Sequence, residues 1–393
     1  MNVSANRAIK MLRQTAFATG GYERRVLTSW NDLTALAAAW QDLHSRSCAT
    51  IFSSLPWMQA QQSNFGSAGR PHIVTLWRHG ALVAAAPLVM APMPISKRIG
   101  FYRPQTLGGF TCQYTGHLDF PAQDTAAQAA LADALADVAC GTALDLKLMR
   151  EGPMRDRLLE AFARRGIAPI EDLQFQSTVV DAQAAWKTHV ASLNASVRKS
   201  LRKTDRLHAT DGVEISIFRT GPESLLDRVF NVAERSWKHK TLTSVASSPQ
   251  TRAFALSMWR ALAPSHDVVV TLLSLKGIDF ASCVMFRCHG RWIGIWTDFD
   301  ESYADYAPGR TGICRSFEAV MGQGDYDIDM MRRTHFTSAF SDQTYQISRI
   351  RAFPRNSPAR WLVAGEEIAA RMLRPLRSGS RGSKLRRNDA IKS

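Results

Sequence analysis

The sequence predicts an α+β protein of mixed α/β character: two tandem lobes, each a mainly antiparallel mixed sheet flanked by helices. Three observations carry this expectation. Ile73 to Met90 (IVTLWRHGALVAAAPLVM) and Val269 to Phe286 (VVTLLSLKGIDFASCVMF) share one plan, a β-branched run, a glycine turn and a small-residue strand. Aligning Gly80 with Gly277 brings Ala84 over Ala281. Second, DVVVTLLSL, IDFASCVMFRC and RWIGIWTDF follow one another across Lys276-Gly277 and His289-Gly290, which reads as an antiparallel meander. Third, helical runs lie beside these strands and supply the layer that covers a sheet. A chain of 393 residues that is 45% apolar has the core for two or three domains.

The expected divisions are an unstructured arm over residues 1–22, a first lobe over 23–185, a second over 186–362 and a basic tail over 363–393. In the first lobe Leu33, Leu36, Trp40 and Leu43 recur at helical spacing, with Ser29 or Asn31 placed to cap the run. TIFSSLPWMQAQQSNFG, the Gly80 hairpin and TLGGFTCQYTGHLDF follow. DTAAQAALADALADVACG reads as an alanine-rich helix that Gly141 can end, ALDLKLM as a strand, RDRLLEAFARRG as a helix and FQSTVVDA as a closing strand. The second lobe opens on a helix whose narrow stripe is Leu193, Val197 and Leu201. Arg198, Lys199, Arg202, Lys203 and Arg206 cover its other faces, as a solvated surface or as the wall of a groove for a phosphate-rich ligand. ESLLDRVFNVAERSWKHK is a further helix, and YDIDMM and TYQISRIRAF are strands after the meander.

Composition excludes several classes. Six cysteines are scattered without a CxxC pair, which argues against a zinc ribbon and a disulfide framework and predicts no metal. The N-terminus lacks the apolar core of a secretory signal. No apolar run approaches the ~20 residues needed to span a bilayer. The expected place is therefore the cytoplasm, with peripheral contact to an inner membrane. About half of the formal charge of +15 lies in the tail, where Arg371, Arg374, Arg377, Arg381, Lys384, Arg386, Arg387 and Lys392 face only Asp389. Such a tail serves solubility or draws the protein to an anionic membrane surface or polymer.

Beside this reading stands a resemblance. IFSSLPWM, GALVAAAPLV, VRKSLRKTDRL, Trp237, DFASCVMF, TDFDESYADYAPG and YDID, in this order and together with Trp40 and Leu43, resemble the GNAT acyltransferase superfamily. The likeness is greatest to its two-lobed FemAB-like branch, in particular the acetyltransferase-like proteins of bacterial cellulose and exopolysaccharide biosynthesis. It covers residues 23–355. It implies transfer of an acyl group from acetyl-CoA or another acyl-CoA, used as co-substrate, to an amino or hydroxyl group of a small-molecule or glycan-precursor acceptor. Two alternatives stay open: aminoacyl transfer from charged tRNA, the one nucleic acid expected, and a non-catalytic partner of a polysaccharide synthase.

The resemblance also points to residues. Pro308, Gly309, Arg310, Thr311, Gly312 and Ile313 fall where a helix start meets the CoA pyrophosphate. The glycines would let backbone approach the phosphates, and Arg310 would add a charge-assisted contact; an ordinary turn is the other reading. The usual loop carries its Arg or Gln farther from the glycines, so the version here is degenerate. Asp298, Tyr303, Tyr306 and His335 are the expected catalytic groups: Asp298 as a base or a loop cap, the tyrosines as proton donors or loop packing. His117 and Asp119 of GHLDF could reach the cleft from the first lobe, or His117 could be structural. After YDI the relatives carry a glycine and then a Tyr-Lys pair, whereas this chain reads DMMRRTHF.

Overall fold

The computed structural model describes residues 17–19, 21–66, 69–92, 105–355, 357 and 360–361. The basic tail and most of the N-terminal arm lie outside them.

The first lobe comprises β1 (Phe17–Thr19), β2 (Tyr22–Leu27), α1 (Trp30–Ala35), α2 (Ala37–Ser45), α3 (Leu55–Phe65), β3 (Arg70–Pro71), β4 (Ile73–Arg78), β5 (Ala81–Ala86), β6 (Leu88–Pro92), β7 (Gln105–Gly109), α4 (Thr125–Gly141), β8 (Ala143–Arg150), α5 (Pro153–Arg164) and β9 (Ile170–Asp181). The second comprises α6 (Trp186–Ser192), α7 (Ala195–Asp211), β10 (Glu214–Phe218), α8 (Leu225–Arg235), α9 (Trp237–Lys240), α10 (Pro249–Leu262), β11 (Val268–Leu275), β12 (Ile278–Cys288), β13 (Arg291–Phe299), α11 (Pro308–Val320), β14 (Asp327–Asp329) and β15 (Thr344–Ala352). β1 corrects the boundary of the expected arm, because Phe17 to Thr19 pair with β2.

Local chemistry sets these elements. Ser29 and Asp32 form a reciprocal capping box at α1, which selects Ser29 over Asn31. The expected single helix is two, because Leu36 leaves helical geometry between α1 and α2. Its stripe survives the break: Leu33, Leu36, Trp40 and Leu43 are all buried in one cluster against β4 and β5. Lys276-Gly277 and His289-Gly290 have positive φ at both positions, the backbone a two-residue hairpin needs to follow strand twist.

The strands form a four-stranded sheet, β1-β2-β4-β5, and an eleven-stranded sheet, β10-β11-β12-β13-β14-β9-β15-β8-β7-β6-β3. Pro87 lies at the break between them. It separates β5 from β6 and supplies no ladder N–H, so the run that is continuous in β12 changes sheets in the first lobe. The lobes exchange strands at the centre. β9 pairs with β14 at one end and β15 along the rest, while β15 also pairs with β8.

The two glycine hairpins are equivalent. Leu76 faces Ala84 and Leu273 faces Ala281, and each ladder carries a bulge immediately after that leucine. Both lobes then repeat one order of pairings: β7 with β8 and β13 with β14 are parallel, and each pair is bridged by one helix, α4 or α11. A core cluster spans the lobes, with Trp57 of α3 edge-on to Phe254 of α10 at 5.0 Å. Among the described residues, no helix is long and apolar enough to cross a membrane.

Candidate active site

Pairing of β13 with β14 stops at Ile293 and Asp329, although β13 runs on to Phe299. The strands part there, and α11 starts beside the opening. The result is a cleft of about 790 Å³. Its walls are Ile295, Thr297 and Phe299 of β13, Cys283 and Met285 of β12, the first turn of α11, and Ile328 to Arg332. Trp237 and Lys238 close one side, and Thr334, Phe336 and Thr337 another. The wall is largely apolar, with cationic groups at Lys238, Arg310 and Arg332.

The start of α11 is built to leave its backbone donors open. Ala307, at φ 47°, is the N-cap and offers no side-chain oxygen; Pro308 follows in the first turn. Arg310 donates from Nη1 to Ser200 Oγ of α7 at 2.7 Å, which ties the basic helix to this helix start. Pro308, Gly309, Arg310 and Ile313 line the cleft. Thr311 and Gly312 do not. Thr311 is buried and borders a smaller cavity of about 140 Å³ against α6 and α7. A Cβ on Gly312 would sit 3.6 Å from Cys283 Cβ and 3.9 Å from Leu273 Cδ1. Gly312 thus faces the sheet, where a Cβ would make ordinary contact, and does not line the cleft. Gly309 is the close-approach position, since its Cβ would meet the Phe299 ring at 3.1 Å.

The four expected catalytic residues stand apart from the cleft. Asp298 is on the face of β13 opposite Thr297 and Phe299, on the side of Trp296. Its carboxyl is held above the usual range by burial, which outweighs the lowering by Lys238 and Ser236, and its Oδ1 has no partner among the described residues. Tyr303 stacks on Phe280 at 4.6 Å. Tyr306 donates to Asp211 at 2.7 Å, and its carbonyl accepts from His208 Nε2 at 3.0 Å. Both tyrosines therefore hold the loop whose Ala304 and Ala307 reach the cleft. His335 is exposed, while its neighbours Thr334 and Phe336 line the wall.

The acidic residue in the lining of the cleft is Asp329, whose side chain is on the face of β14 opposite Ile328. It ends β14, occupying the place after YDI where relatives carry glycine, and it is 1% exposed. Ser177 Oγ donates to Oδ1 at 2.6 Å and the Met331 N–H at 2.8 Å, while Tyr345 Oη donates to Oδ2. Burial raises its carboxyl above the ordinary value of 3.8; the hydroxyl donors, the Met331 amide and the charge of Arg291 counter that in part. His117 stands behind, its Nδ1 3.2 Å from Tyr345 Oη and 3.8 Å from Asp329 Oδ2. The single proton of Tyr345 goes to Asp329, so His117 Nδ1–H donates to the phenol oxygen. Its Nε2 is buried without a partner among the described residues. Desolvation, with Arg291 adding, lowers His117 to about 3 and keeps the ring neutral. Tyr345 is pushed well up, by burial and then by Asp329.

His117 thus takes its place behind the cleft, whereas Asp119 turns to the Phe120 amide and is raised to about 6 by burial. Asp329, Tyr345 and Ser177 were not anticipated. The one signal for them was an acid at the end of a central strand, at a position the resemblance assigns to glycine.

The family described as Acetyltransferase (GNAT) domain matches residues 195–346. No curated protein matches the sequence directly. Among solved structures, FemX is similar over 81% of this chain and 96% of its own, at 10% identity and a TM-score of 0.56. A conserved protein of unknown function from Bacteroides thetaiotaomicron covers 81% and 97% at 11% identity and 0.54. The C-terminal domain of a putative lysylphosphatidylglycerol synthetase from Agrobacterium fabrum covers 86% and 95% at 12% identity and 0.50.

Proposed function

We propose that the chain, whose fold resembles that of FemX and whose residues 195–346 match the Acetyltransferase (GNAT) domain, is a GNAT-type acyltransferase whose working site is the second-lobe cleft. The observation that carries the reading is the uncapped start of α11, beside Arg310, opening into the space where β13 and β14 part. In our reading the unpaired N–H groups and positive dipole end of α11 hold the pyrophosphate of acyl-CoA, and Arg310 adds a charged contact. Beyond Ile293 β13 pairs with no strand on the β14 side among the described residues, so its backbone can take up the pantetheine amides as a strand would once Lys238 releases the Thr297 carbonyl.

An acyl thioester brings its own activation, so the protein has to position it and manage one proton. Asp329 is the group for the proton. Raised by desolvation, its carboxylate takes the proton of an acceptor amine or hydroxyl as that atom bonds to the acyl carbon. The C–S bond breaks, and the proton then passes to the leaving thiolate. Ser177, Tyr345 and the Met331 amide fix the carboxylate, and His117 fixes the phenol. The finer proposal is a sugar or envelope-precursor acceptor and an acyl group other than aminoacyl, at a cytoplasmic site bordering the membrane.

One observation favours a second reading. Lys199, Arg202, Lys203 and Arg206 are exposed on α7 beside Arg310, a surface that also suits the backbone of a charged tRNA. A thermal-shift series with acetyl-CoA, longer acyl-CoAs, pantetheine and aminoacyl-tRNA separates the readings. A ligand at ~100 times its Kd stabilises by ~2.7 kcal/mol. Acyl-CoA is expected to shift the melting temperature and pantetheine is not. A shift with tRNA alone would favour aminoacyl transfer. No shift with any of them would favour the accessory role.

A further inference from the structure

At the junction of the lobes, away from the cleft, His44 of α2 meets the turn between β12 and β13. His44 is 8% exposed and Cys288 partly buried, whereas His289 is open to solvent. One donor atom of each lies within 4.8 Å of the other two. The hydrogen bonds determine which atoms are available. His44 Nε2 is 3.0 Å from the Thr50 carbonyl, which can only accept, so Nε2 carries the proton. Its Nδ1 is therefore a lone pair, directed at His289 Nε2 at 3.1 Å. A carbonyl fixing the far nitrogen of an imidazole is the outer support that orients metal-bound histidines.

The spacing fits a small ion. Zn–N distances of about 2.0–2.1 Å place two nitrogens of a tetrahedral site roughly 3.3 Å apart. The 3.1 Å between His44 Nδ1 and His289 Nε2 is within reach of that after a small turn of the exposed ring. Cys288 Sγ makes a long contact with the Ala49 carbonyl at 3.9 Å, which a metal bond would replace. Burial, with Asp267 and Asp119 adding, keeps this sulfur a thiol by pushing it up to about 12.

We infer that His44 Nδ1, Cys288 Sγ and His289 Nε2 form a three-ligand site for a divalent transition metal such as zinc, with solvent as fourth ligand, which staples α2 of the first lobe to the β12–β13 turn of the second. Binding moves the Nε2 proton of His289 to its Nδ1 and releases the Cys288 thiol proton to solvent. One thiolate and two imidazoles are a donor set that zinc, cobalt and copper share. The inference is independent of the acyltransferase reading, because none of the three residues borders the cleft.

The test uses the full-length protein, treated with chelator and titrated with Co²⁺. The expected result is a near-ultraviolet thiolate-to-cobalt band with visible bands of a tetrahedral ion, saturating at one Co²⁺ per chain. Both are lost in Cys288→Ser and in His289→Ala. Zn²⁺ should raise the melting temperature of the wild type and leave His289→Ala unchanged. His289 is on an exposed turn, so that variant serves even where Cys288→Ser fails to fold. No thiolate band in the wild type, or an equal band in His289→Ala, overturns the site and leaves the two histidines as a hydrogen-bonded pair.

Discussion

The two lobes place the same elements around two different helix starts. In the second lobe α11 begins on Ala307 with no capping side chain. In the first lobe α4 begins on Asp124, whose Oδ1 accepts from the Ala127 N–H at 2.7 Å and whose Oδ2 pairs with Arg78 at 3.1 Å. The first lobe thus supplies its own anion to the position that the second leaves open. The next difference is at the parting strands. The third parallel pair is Gly108 with Asp145 in the first lobe and Ile293 with Asp329 in the second. Asp145 is gripped by Arg349 at 2.7 Å through each oxygen, whereas Asp329 is held at its oxygens by hydroxyl and amide donors. Asp329, raised by desolvation, is a stronger base than a carboxylate in water. On the proposed reading, a repeated fold yields one equipped site, with the other lobe serving as support.

The largest expected effect is at Asp329. Asp329→Asn keeps size and most hydrogen bonds but removes the base, so kcat should fall ~10²–10⁴-fold while CoA affinity stays within about twofold. Because the acting form is the carboxylate and its folded value is raised above 3.8, the wild-type rate should climb with pH through an inflection above that value and then level off. The asparagine variant should lose the inflection. An unchanged turnover would remove Asp329 from the chemistry.

Next in size is Arg310→Ala. It removes one charge-assisted contact, worth about 1.5–3 kcal/mol, so calorimetry should show affinity for CoA falling roughly ten- to a hundredfold. The residual binding should depend less on salt. Gly312→Val tests packing. Its branch points at Leu273 and Cys283, so the cost should appear in denaturant unfolding, as about 1–3 kcal/mol of overpacking. Smallest is Asp124→Ala. Loss of that cap should lower stability by about 1 kcal/mol and leave turnover unaltered, because the first-lobe start is structural.

Much of this arrangement was legible in the sequence. The paired hairpins, the meander and its turns, and the basic helix follow from local chemistry that acts within a few residues, such as the Ser29 cap and the Lys276-Gly277 turn. The site was legible only where it is local too. Pro308 to Arg310 and Ile313 reach the cleft as one short segment, whereas the direction of Gly312 depended on where α11 meets the sheet. Asp298 looked well placed because it ends a strand, but strand alternation at a bulged ladder turned it to the far face. The cluster around Asp329 was not legible as a cluster: Ser177, Asp329 and Tyr345 lie on β9, β14 and β15, and His117 on a first-lobe loop. Only the exchange of strands between lobes brings them together.

The asymmetry between the helix starts is the central claim, and the stoichiometry of CoA binding tests it most directly. Calorimetric titration of the full chain should give one CoA per chain, with affinity reduced by Arg310→Ala and unchanged by Asp124→Ala. Two equivalents per chain, or one whose affinity depends on Asp124 and not on Arg310, would contradict the account.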